Sequence, residues 1–490
     1  MIPRRVYATL LLALSVRGQQ DTTKPDIDPE TLQADMITAN LMSHLSTLQE
    51  VADANGGNRA FGMPGYQASV DYVWGQISNI PGTKVWKQDF PANFSWSEAE
   101  LRIGESTNVP VYAIERSPTT PDTGIEAELV AGPEGPAGCN ETAYDNLNVT
   151  GKIVLVERGA CDAPDGTPIH GGKVIAAARA GAVAVIQYQD TPNEPFSPSF
   201  PEELPDYVPA GSINQANGQN LKDRLASGET LQAYFRQDQI REVRITQNIF
   251  AETEGDSDSV IMLGGHLDSV QTGPGINDNG SGVSLVIELF RSVAKYRTKN
   301  KLRFAWWGAE ENAGLGSRSY CYNLTEFPAE ANKVVAYLNF DMVSRGTYYV
   351  GDGDASTGAG YPIPPGSDVI ESLWLDYFQS IGITAQEKKI GFDSDHFFFQ
   401  VILEKPVGLL FTGSNVTEDP CYHKACDRID NVNPEMLTTN ARAAAYMAAV
   451  LAINGTDLLP ASSLGGAKLK RSLDDWAAGY SGCGHGFHSH

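Results

Sequence analysis

The sequence has little positive charge. Its 36 Lys and Arg residues face 60 Asp and Glu residues, so the formal net charge is −24 at pH 7. Nucleic acids and anionic membranes bind clusters of Lys and Arg, which this sequence lacks. We therefore expect neither nucleic acid nor a membrane as a partner, and we interpret the negative charge as a solvated surface.

The sequence also offers no convincing membrane span. Crossing ~30 Å of hydrocarbon takes ~20 apolar residues, and the apolar run VYATLLLALSV near the N-terminus is shorter. This run follows the basic start MIPRR and precedes Gly18, a small residue suited to cleavage. We predict that residues 1–18 are a secretory signal peptide rather than an anchor, and that the protein is secreted and extracellular.

Potential glycosylation sites agree with a secretory route. Six Asn-X-Ser/Thr sequons occur in polar surroundings. They begin at Asn93, Asn140, Asn148, Asn323, Asn415 and Asn454. The sequence therefore predicts N-glycans at these six positions.

Cysteine is scarce, with six residues in the chain. An oxidising compartment makes them disulfide candidates. Cys421 and Cys426 flank the tight loop CYHKAC, and Cys139 and Cys161 bracket the strand-like GKIVLVERG. Because six cysteines allow many connectivities, these two pairings rest on proximity alone. Two cysteines stay without an assigned partner, Cys321 and Cys483.

The pattern of the chain indicates an inserted module. With 490 residues the chain is long enough for about two or three domains. Helical patterns run from about 34 to 51 and from 66 to 77. Between about 118 and 240, Gly and Pro are frequent, and the β-rich runs KIVLVERG and AVAVIQYQ flank the helical GGKVIAAARAGA. We predict that residues 118–240 are a separate module inserted into the chain.

The remainder predicts an α/β domain. After residue 241, apolar strands such as SVIMLGG and KLRFAWWG alternate with helical segments such as SGVSLVIELFRSVAKY. This alternation indicates a mostly parallel sheet with helices on both faces. We expect residues 19–117 to open this domain, with a short propeptide possible at their start, residues 241–460 to complete it, and residues 461–490 to form an irregular tail.

Acidic side chains and histidines follow successive strands of this predicted sheet. In open α/β sheets, functional groups gather at the carboxyl ends of the strands. Side chains two apart on an extended segment also point to the same side. The residues that follow the strands are His266, Asp268, Asp278, Glu310, Glu311, Asp341 and His423. Such a series predicts a metal centre, whereas one acidic residue after one strand would be an ordinary turn residue.

The residue types indicate the metal. Two imidazoles and three carboxylates without a thiolate suit zinc, cobalt or manganese better than calcium. Five ligands divide between two ions if one carboxylate bridges them, and paired ions ~3.5–4 Å apart are typical of hydrolytic sites. A closed structural zinc site is the weaker alternative, because it usually has four ligands rich in Cys.

Six motifs carry a family resemblance. In chain order they are GGHLDS, NDNGSG, WWGAEE, LNFDMV, SDHFFF and YHKACD. They resemble the motif series of secreted co-catalytic di-zinc aminopeptidases, most closely the fungal leucine aminopeptidases. The insert resembles a protease-associated domain in GKIVLVERGAC, KVIAAARAGAVAVIQY and VPAGSINQANGQNL. Together the resemblances cover residues 35–455 and imply a zinc-peptidase fold with a β-rich α+β insert.

The resemblance implies roles for individual residues. One zinc would take His266 and Asp341, the other Glu311 and His423, and Asp278 would bridge the two. Glu310 would be the general base.

A further sequon begins at Asn279, in the sequence NGS directly after the predicted bridging residue Asp278. A glycan at this position would block the metal site. We therefore expect Asn279 to carry no glycan.

Four further predictions concern the surroundings of the metals. Asp268 would orient the His266 ring through its other nitrogen. Tyr422 would donate to the developing oxyanion, although a loop tyrosine is more often simply packed. The family places the SDHFFF loop at the substrate pocket, where Phe397 to Phe399 supply either apolar walls or core. The predicted pocket residues are Ser394, Asp395, His396 and Phe397.

The expected function is that of an aminopeptidase that releases leucine and other apolar residues from peptides with a free N-terminus, with two Zn²⁺ per chain and a monomeric state. Three alternatives stay open. A carboxypeptidase of the same fold would need fixed cations for the substrate carboxylate, and no Arg cluster accompanies the motifs. A receptor-like protein would have no need of all five ligands. A cyclising acyltransferase with a single zinc would leave the second ligand set idle.

Overall fold

The structure is a computed structural model that describes residues 24–104, 107–162, 168–169, 171–190, 199–200, 204–413 and 417–461. Several sequence predictions lie outside these residues. They concern the leader 1–18, the sequon at Asn415, Cys483 and nearly all of the tail 461–490.

The helices are α1 (Pro29–Ala34), α2 (Thr38–Ala54), α3 (Pro64–Ile77), α4 (Gly172–Arg179), α5 (Gln215–Ala226), α6 (Gly282–Val293), α7 (Leu315–Thr325), α8 (Pro328–Ala331), α9 (Ser367–Ser380), α10 (His396–Val401) and α11 (Pro434–Leu458). Short 3₁₀ turns occur at Gly135–Cys139, Glu141–Tyr144 and Ile429–Asn431.

The strands are β1 (Thr83–Ile103), β2 (Thr107–Val109), β3 (Tyr112–Ala113), β4 (Ile125–Ala131), β5 (Ile153–Glu157), β6 (Cys161–Asp162), β7 (Pro168–Ile169), β8 (Ala184–Tyr188), β9 (Ala210–Ile213), β10 (Leu231–Thr253), β11 (Val260–His266), β12 (Lys301–Trp307), β13 (Val334–Phe340), β14 (Tyr349–Asp352), β15 (Gln386–Lys389) and β16 (Val407–Phe411). The chain folds into two compact units, one up to Ala92 and from Ile245 onward, the other from Asn93 to Arg244.

The first unit contains a mixed, mostly parallel sheet in the order β15-β14-β16-β13-β11-β12, followed by the end of β10. Strands β16, β13, β11 and β12 run parallel, as do β14 and β15, while β14 is antiparallel to β16 and β10 to β12. The predicted fold class is therefore confirmed for this unit.

Both faces of this sheet are covered. Successive side chains of a strand point to opposite faces. Ile261 and Leu263 of β11 belong to the core formed with α2, α3, α6 and α11, whereas Met262 contacts the hydroxyl of Tyr320 in α7 at 3.4 Å. Coverage on both sides explains why β11 is apolar along its whole length.

Helix α11 belongs to this core. Its 25 residues are long and apolar enough by composition to cross a membrane, but 72% of the most apolar stretch is buried inside the fold. Small residues such as Ala444 and Ala448 let the helix pack closely. Its apolar character is thus explained by packing.

The second unit is built on the parallel strands β4, β5, β8 and β9, with β3 antiparallel to β9 and the start of β10 antiparallel to β4. Alternate residues of β5 enter different cores: Ile153 and Leu155 face one, Val154 and Val156 the other. The runs KIVLVERG and AVAVIQYQ form β5 and β8, and the helix predicted between them is α4.

Both predicted disulfides are present, Cys139–Cys161 and Cys421–Cys426. Cys321 is buried with a free thiol. The described sequon asparagines, which are Asn93, Asn140, Asn148, Asn323 and Asn454, are all exposed. Their glycosylation stays a prediction.

Candidate metal centre

The parallel strands bring the predicted ligands to one edge of the sheet. His266 is the last residue of β11 and pairs with Trp307, the last residue of β12. Glu310 and Glu311 follow three and four residues later, and Asp341 directly follows β13. Because these strand ends are level, the side chains that follow them converge.

The first cluster forms around His266. Its Nε2 atom lies 3.2 Å from Asp278 Oδ1 and 3.2 Å from Asp341 Oδ1. All three side chains offer a ligand atom within 4.8 Å of one another. These are the ligands that the family resemblance implies for one metal.

The second cluster forms around His423. Its Nε2 atom lies 3.1 Å from Asp278 Oδ2 and 3.1 Å from Glu311 Oε2. Asp278 thus turns one carboxylate oxygen to each cluster. A carboxylate placed in this way has the geometry of a bridging ligand.

The electrostatics of the clusters suit a cation. Burial disfavours a charge on His266, but the carboxylates of Asp341 and Glu310 raise its pKa well above the usual value. Burial likewise opposes protonation of His423, yet Glu311 and Asp278 raise its pKa to about 11. The same carboxylates favour a metal ion, whose binding requires neutral imidazole and ionised carboxyl groups.

One carboxylate oxygen of Glu311 lacks a partner. The Oε1 atom is buried and has no hydrogen-bond partner among the described residues. A buried carboxylate oxygen without a partner is costly, and a metal ion would satisfy it. The residue set of nitrogen and oxygen donors therefore fits zinc.

Glu310 lies beside the first cluster. Its Oε2 atom is 3.9 Å from His266 Nε2. Burial raises the pKa of Glu310 well above the usual value, and the charges of Asp395 and Glu311 raise it further against the opposing effect of His266. Glu310 belongs to neither cluster of possible metal ligands, and its role as general base stays a prediction.

Asp268 is fully buried and acts mainly on the neighbouring turn. Its Oδ1 accepts the main-chain N–H of Glu310 at 3.1 Å, and its Oδ2 accepts that of Glu311 at 3.2 Å. The Nδ1 atom of His266 is nearer to the Asp268 carbonyl oxygen, at 3.1 Å, than to the carboxylate, at 3.7 Å. The predicted contact to the ring thus runs chiefly through the main chain, and the carboxylate positions both glutamates.

Two aspartates that the sequence analysis did not single out hold the turn of Asp278. Asp427 accepts the main-chain N–H groups of Asn277 and Asp278, both at 2.9 Å. Asp419 accepts the side-chain amide of Asn277 at 2.7 Å. These aspartates stand just before and just after the disulfide loop that carries His423. Their position next to CYHKAC is the sequence feature that could have indicated a role at the metal centre.

The disulfide loop is tied to the His266–Asp278 connection. The hydroxyl of Thr272 donates to the carbonyl of His423 at 2.8 Å. Tyr422 stacks on the His423 ring at 3.9 Å between centroids. Burial raises the pKa of Tyr422 well above the usual value, so its hydroxyl is a proton donor at neutral pH. Its role toward an oxyanion stays a prediction.

Asn279 is fully buried. Its amide nitrogen donates to the carbonyl of Phe340 at 2.9 Å, and its oxygen accepts the N–H of Gly282 at 2.9 Å. A glycan has no room at this position in the folded protein, in agreement with the expectation that this sequon stays unmodified.

The SDHFFF segment was predicted as a loop, but its last four residues form the start of α10, and its first residue contacts the first cluster. Ser394 donates to Asp341 Oδ2 at 2.7 Å and accepts from the amide of Asn339 at 2.9 Å. These two bonds orient the carboxylate of Asp341. The four predicted pocket residues, Ser394, Asp395, His396 and Phe397, expose at most 5% of their surface. Phe397 packs against Phe392 at 4.4 Å between centroids. Contact between this segment and a substrate stays a prediction.

Both parts of the chain match known protein families. Residues 248–448 match peptidase family M28, and residues 125–221 match the PA domain. A probable lipoprotein aminopeptidase, LpqL, of Mycobacterium tuberculosis is 36% identical over 436 residues, which are 84% of each chain. Leucine aminopeptidase 2 of Trichophyton rubrum is 34% identical over 445 residues, which are 86% of each chain.

Solved structures share the fold. An aminopeptidase from Aneurinibacillus sp. strain AM-1 aligns with a TM-score of 0.61 and 24% identity, covering 89% of this chain and 97% of its own. A zinc aminopeptidase from Bacillus subtilis aligns with a TM-score of 0.61 and 23% identity, covering 87% of this chain and 97% of its own.

Proposed function

Because the chain belongs to peptidase family M28, we propose that this zinc-dependent aminopeptidase uses two zinc ions per chain to release apolar N-terminal residues, leucine among them, from peptides. The observation that carries the proposal is Asp278, which turns one oxygen to His266 and the other to His423. One carboxylate shared between two ligand clusters is the arrangement that a co-catalytic metal pair requires.

The chain supplies the proton chemistry and the positioning. Zinc, when bound, polarises the scissile carbonyl and lowers the pKa of water. Glu310, buried beside the first cluster, takes a proton from the attacking water and delivers it to the leaving amine. Asp268 positions Glu310 by accepting a hydrogen bond from its main-chain N–H group. Tyr422 donates to the oxyanion.

The demand for a free amine follows from charge. Asp278, Glu310, Glu311 and Asp341 crowd the same edge of the sheet. Even where two divalent ions neutralise much of this charge, carboxylate oxygens that bind no metal remain as acceptors, and they hold a free α-ammonium group. Fixing the amine places the first peptide carbonyl over the metals.

The preference for leucine and the extracellular location have separate support. The similar proteins of Trichophyton species are named leucine aminopeptidases. The leader pattern, the exposed sequons and the two disulfides all suit a secreted glycoprotein. We also propose a monomer with the domain bounds that the sequence predicts, a catalytic domain of residues 19–117 and 241–460 and a PA domain inserted at 118–240. The second compact unit is wider than this insert, because it begins at Asn93 and ends at Arg244.

The test compares a leucyl peptide with its N-acetylated twin. A hydrogen bond to a charged group contributes about 1.5–3 kcal/mol, so loss of the ammonium charge should lower kcat/KM by about tenfold or more. A C-terminally amidated twin is the control, and its kcat/KM should match that of the free acid. Comparable values for the leucyl and acetyl peptides would refute the aminopeptidase assignment. A selective loss with the amide would point to a carboxypeptidase.

A further inference from the structure

Arg59 is a fully buried arginine in the segment between α2 and α3. Each of its guanidinium nitrogens donates to a main-chain carbonyl oxygen. Nε donates to Pro274 at 2.9 Å, Nη2 donates to Gly275 at 2.6 Å, and Nη1 donates to Leu267. The three bonds use the planar fork that distinguishes arginine from lysine.

The three carbonyls lie at the two ends of one connection. Leu267 directly follows His266, and Gly275 stands three residues before Asp278. One side chain therefore ties the start of the connection, which carries a ligand of the first cluster, to its end, which carries the carboxylate shared by both clusters. The span between the two ligands is set by a rigid cation rather than by the loop alone.

The backbone of Arg59 joins the same connection. Its N–H donates to Ser269 Oγ at 2.9 Å, and Ser269 Oγ donates to the carbonyl of Gly273 at 3.0 Å. Gly275 has a positive φ of 61°, and a Cβ atom there would collide with the Asp278 carbonyl oxygen. The connection is thus closely packed around the arginine.

The charge of Arg59 also bears on the centre. Burial lowers its pKa to about 10, while the carboxylates of Asp268 and Asp427 act in the opposite direction. The guanidinium stays charged at neutral pH. The carboxylates that act on Arg59 include two predicted ligands, Asp278 and Glu311, and a fixed positive charge near these two favours their ionised, metal-binding forms.

We propose that Arg59 is a positioning residue of the metal centre, which sets the separation of His266 and Asp278 and so determines zinc affinity at the first cluster. The inference rests on the proposed two-zinc function and deepens it. Arg59 contacts neither substrate nor metal, and it acts through the carbonyls that it binds.

The test measures zinc affinity of the full chain by competition with a chelator. Arg59→Lys keeps the charge but cannot reach three carbonyls, and zinc affinity should fall by about 10- to 100-fold, the usual effect of losing a residue that orients ligands. kcat should fall with it, while KM changes little. Arg303→Lys is the matched control: Arg303 is half-buried in the same unit and donates to Glu252 at 2.6 Å and to Tyr320 at 2.9 Å. The zinc affinity of the Arg303→Lys variant should equal that of the wild type.

Two further measurements separate positioning from folding. Ser269→Ala removes the hydroxyl that accepts the Arg59 N–H and donates to the Gly273 carbonyl, but it leaves the guanidinium bonds in place. It should lower zinc affinity in the same direction by a smaller factor. Added guanidinium ion should restore part of the zinc affinity of Arg59→Ala. Wild-type affinity in Arg59→Lys, even with a lowered melting temperature, would overturn the proposal. Wild-type protein that binds zinc but does not hydrolyse peptides would refute the proposed function alone.

Discussion

Replacement of Glu310 by glutamine is expected to lower kcat by about 10²- to 10⁴-fold, the range for removing a general base, and to leave zinc content unchanged. Glutamine keeps the shape of the side chain but cannot accept the proton. The turn should hold its place, because Asp268 binds the main-chain N–H of residue 310 rather than its side chain. Steady-state kinetics and metal analysis on the same sample measure both quantities.

Two variants serve as controls for this result. Glu326→Gln changes an exposed glutamate at the end of α7 and should leave both quantities unchanged. Glu311→Ala removes a carboxylate 3.1 Å from His423 and should lose metal as well as activity. Equal loss of zinc from the Glu310 and Glu311 variants would contradict the division of labour between these neighbours.

Replacement of Asp278 by alanine is expected to remove both metal ions and reduce activity to background. Asp278 is the only residue that belongs to both ligand clusters at this edge of the sheet among the described residues. Without it, His266 and Asp341 remain on one side, and Glu311 and His423 on the other. Two ligands hold zinc far more weakly than three. Metal analysis after dialysis, together with a peptidase assay, tests this.

Asp341→Ala is the matched comparison for the shared carboxylate. Asp341 lies 3.2 Å from His266 and belongs to the first cluster only. This variant should lose one ion and retain the other. If Asp278→Ala also lost a single ion, the carboxylate would be an ordinary ligand rather than a bridge.

The sequence predicted the strands that carry the ligands, because buried parallel strands are apolar throughout and end where polar residues begin. β11, β12, β13 and β16 follow that pattern, so the convergence of His266, Glu311 and Asp341 could be expected. The long strands β1 and β10 were not predicted. In the middle of β10 the side chains become exposed, including the apolar Ile240, Val243 and Ile245, so its alternating burial is interrupted.

The residues that support the metal centre could not be predicted from sequence patterns. Arg59 lies more than 200 positions from the carbonyls that it binds, and nothing periodic marks it. Asp427 acts through its bonds to main-chain N–H groups, which do not depend on the identity of the residues that carry them. Ser394 was predicted in a pocket, yet its hydroxyl bonds to Asp341 and Asn339. Such long-range contacts depend on how the chain folds back on itself.

The most direct test of the shared-carboxylate centre is a crystal structure of the zinc-replete wild-type protein, in which anomalous scattering at the zinc edge counts and locates the zinc ions. We predict two zinc ions per chain, one beside His266 and Asp341 and the other beside His423 and Glu311, with Asp278 between them. A single ion under zinc-replete conditions, or two ions that do not share Asp278, would contradict this account.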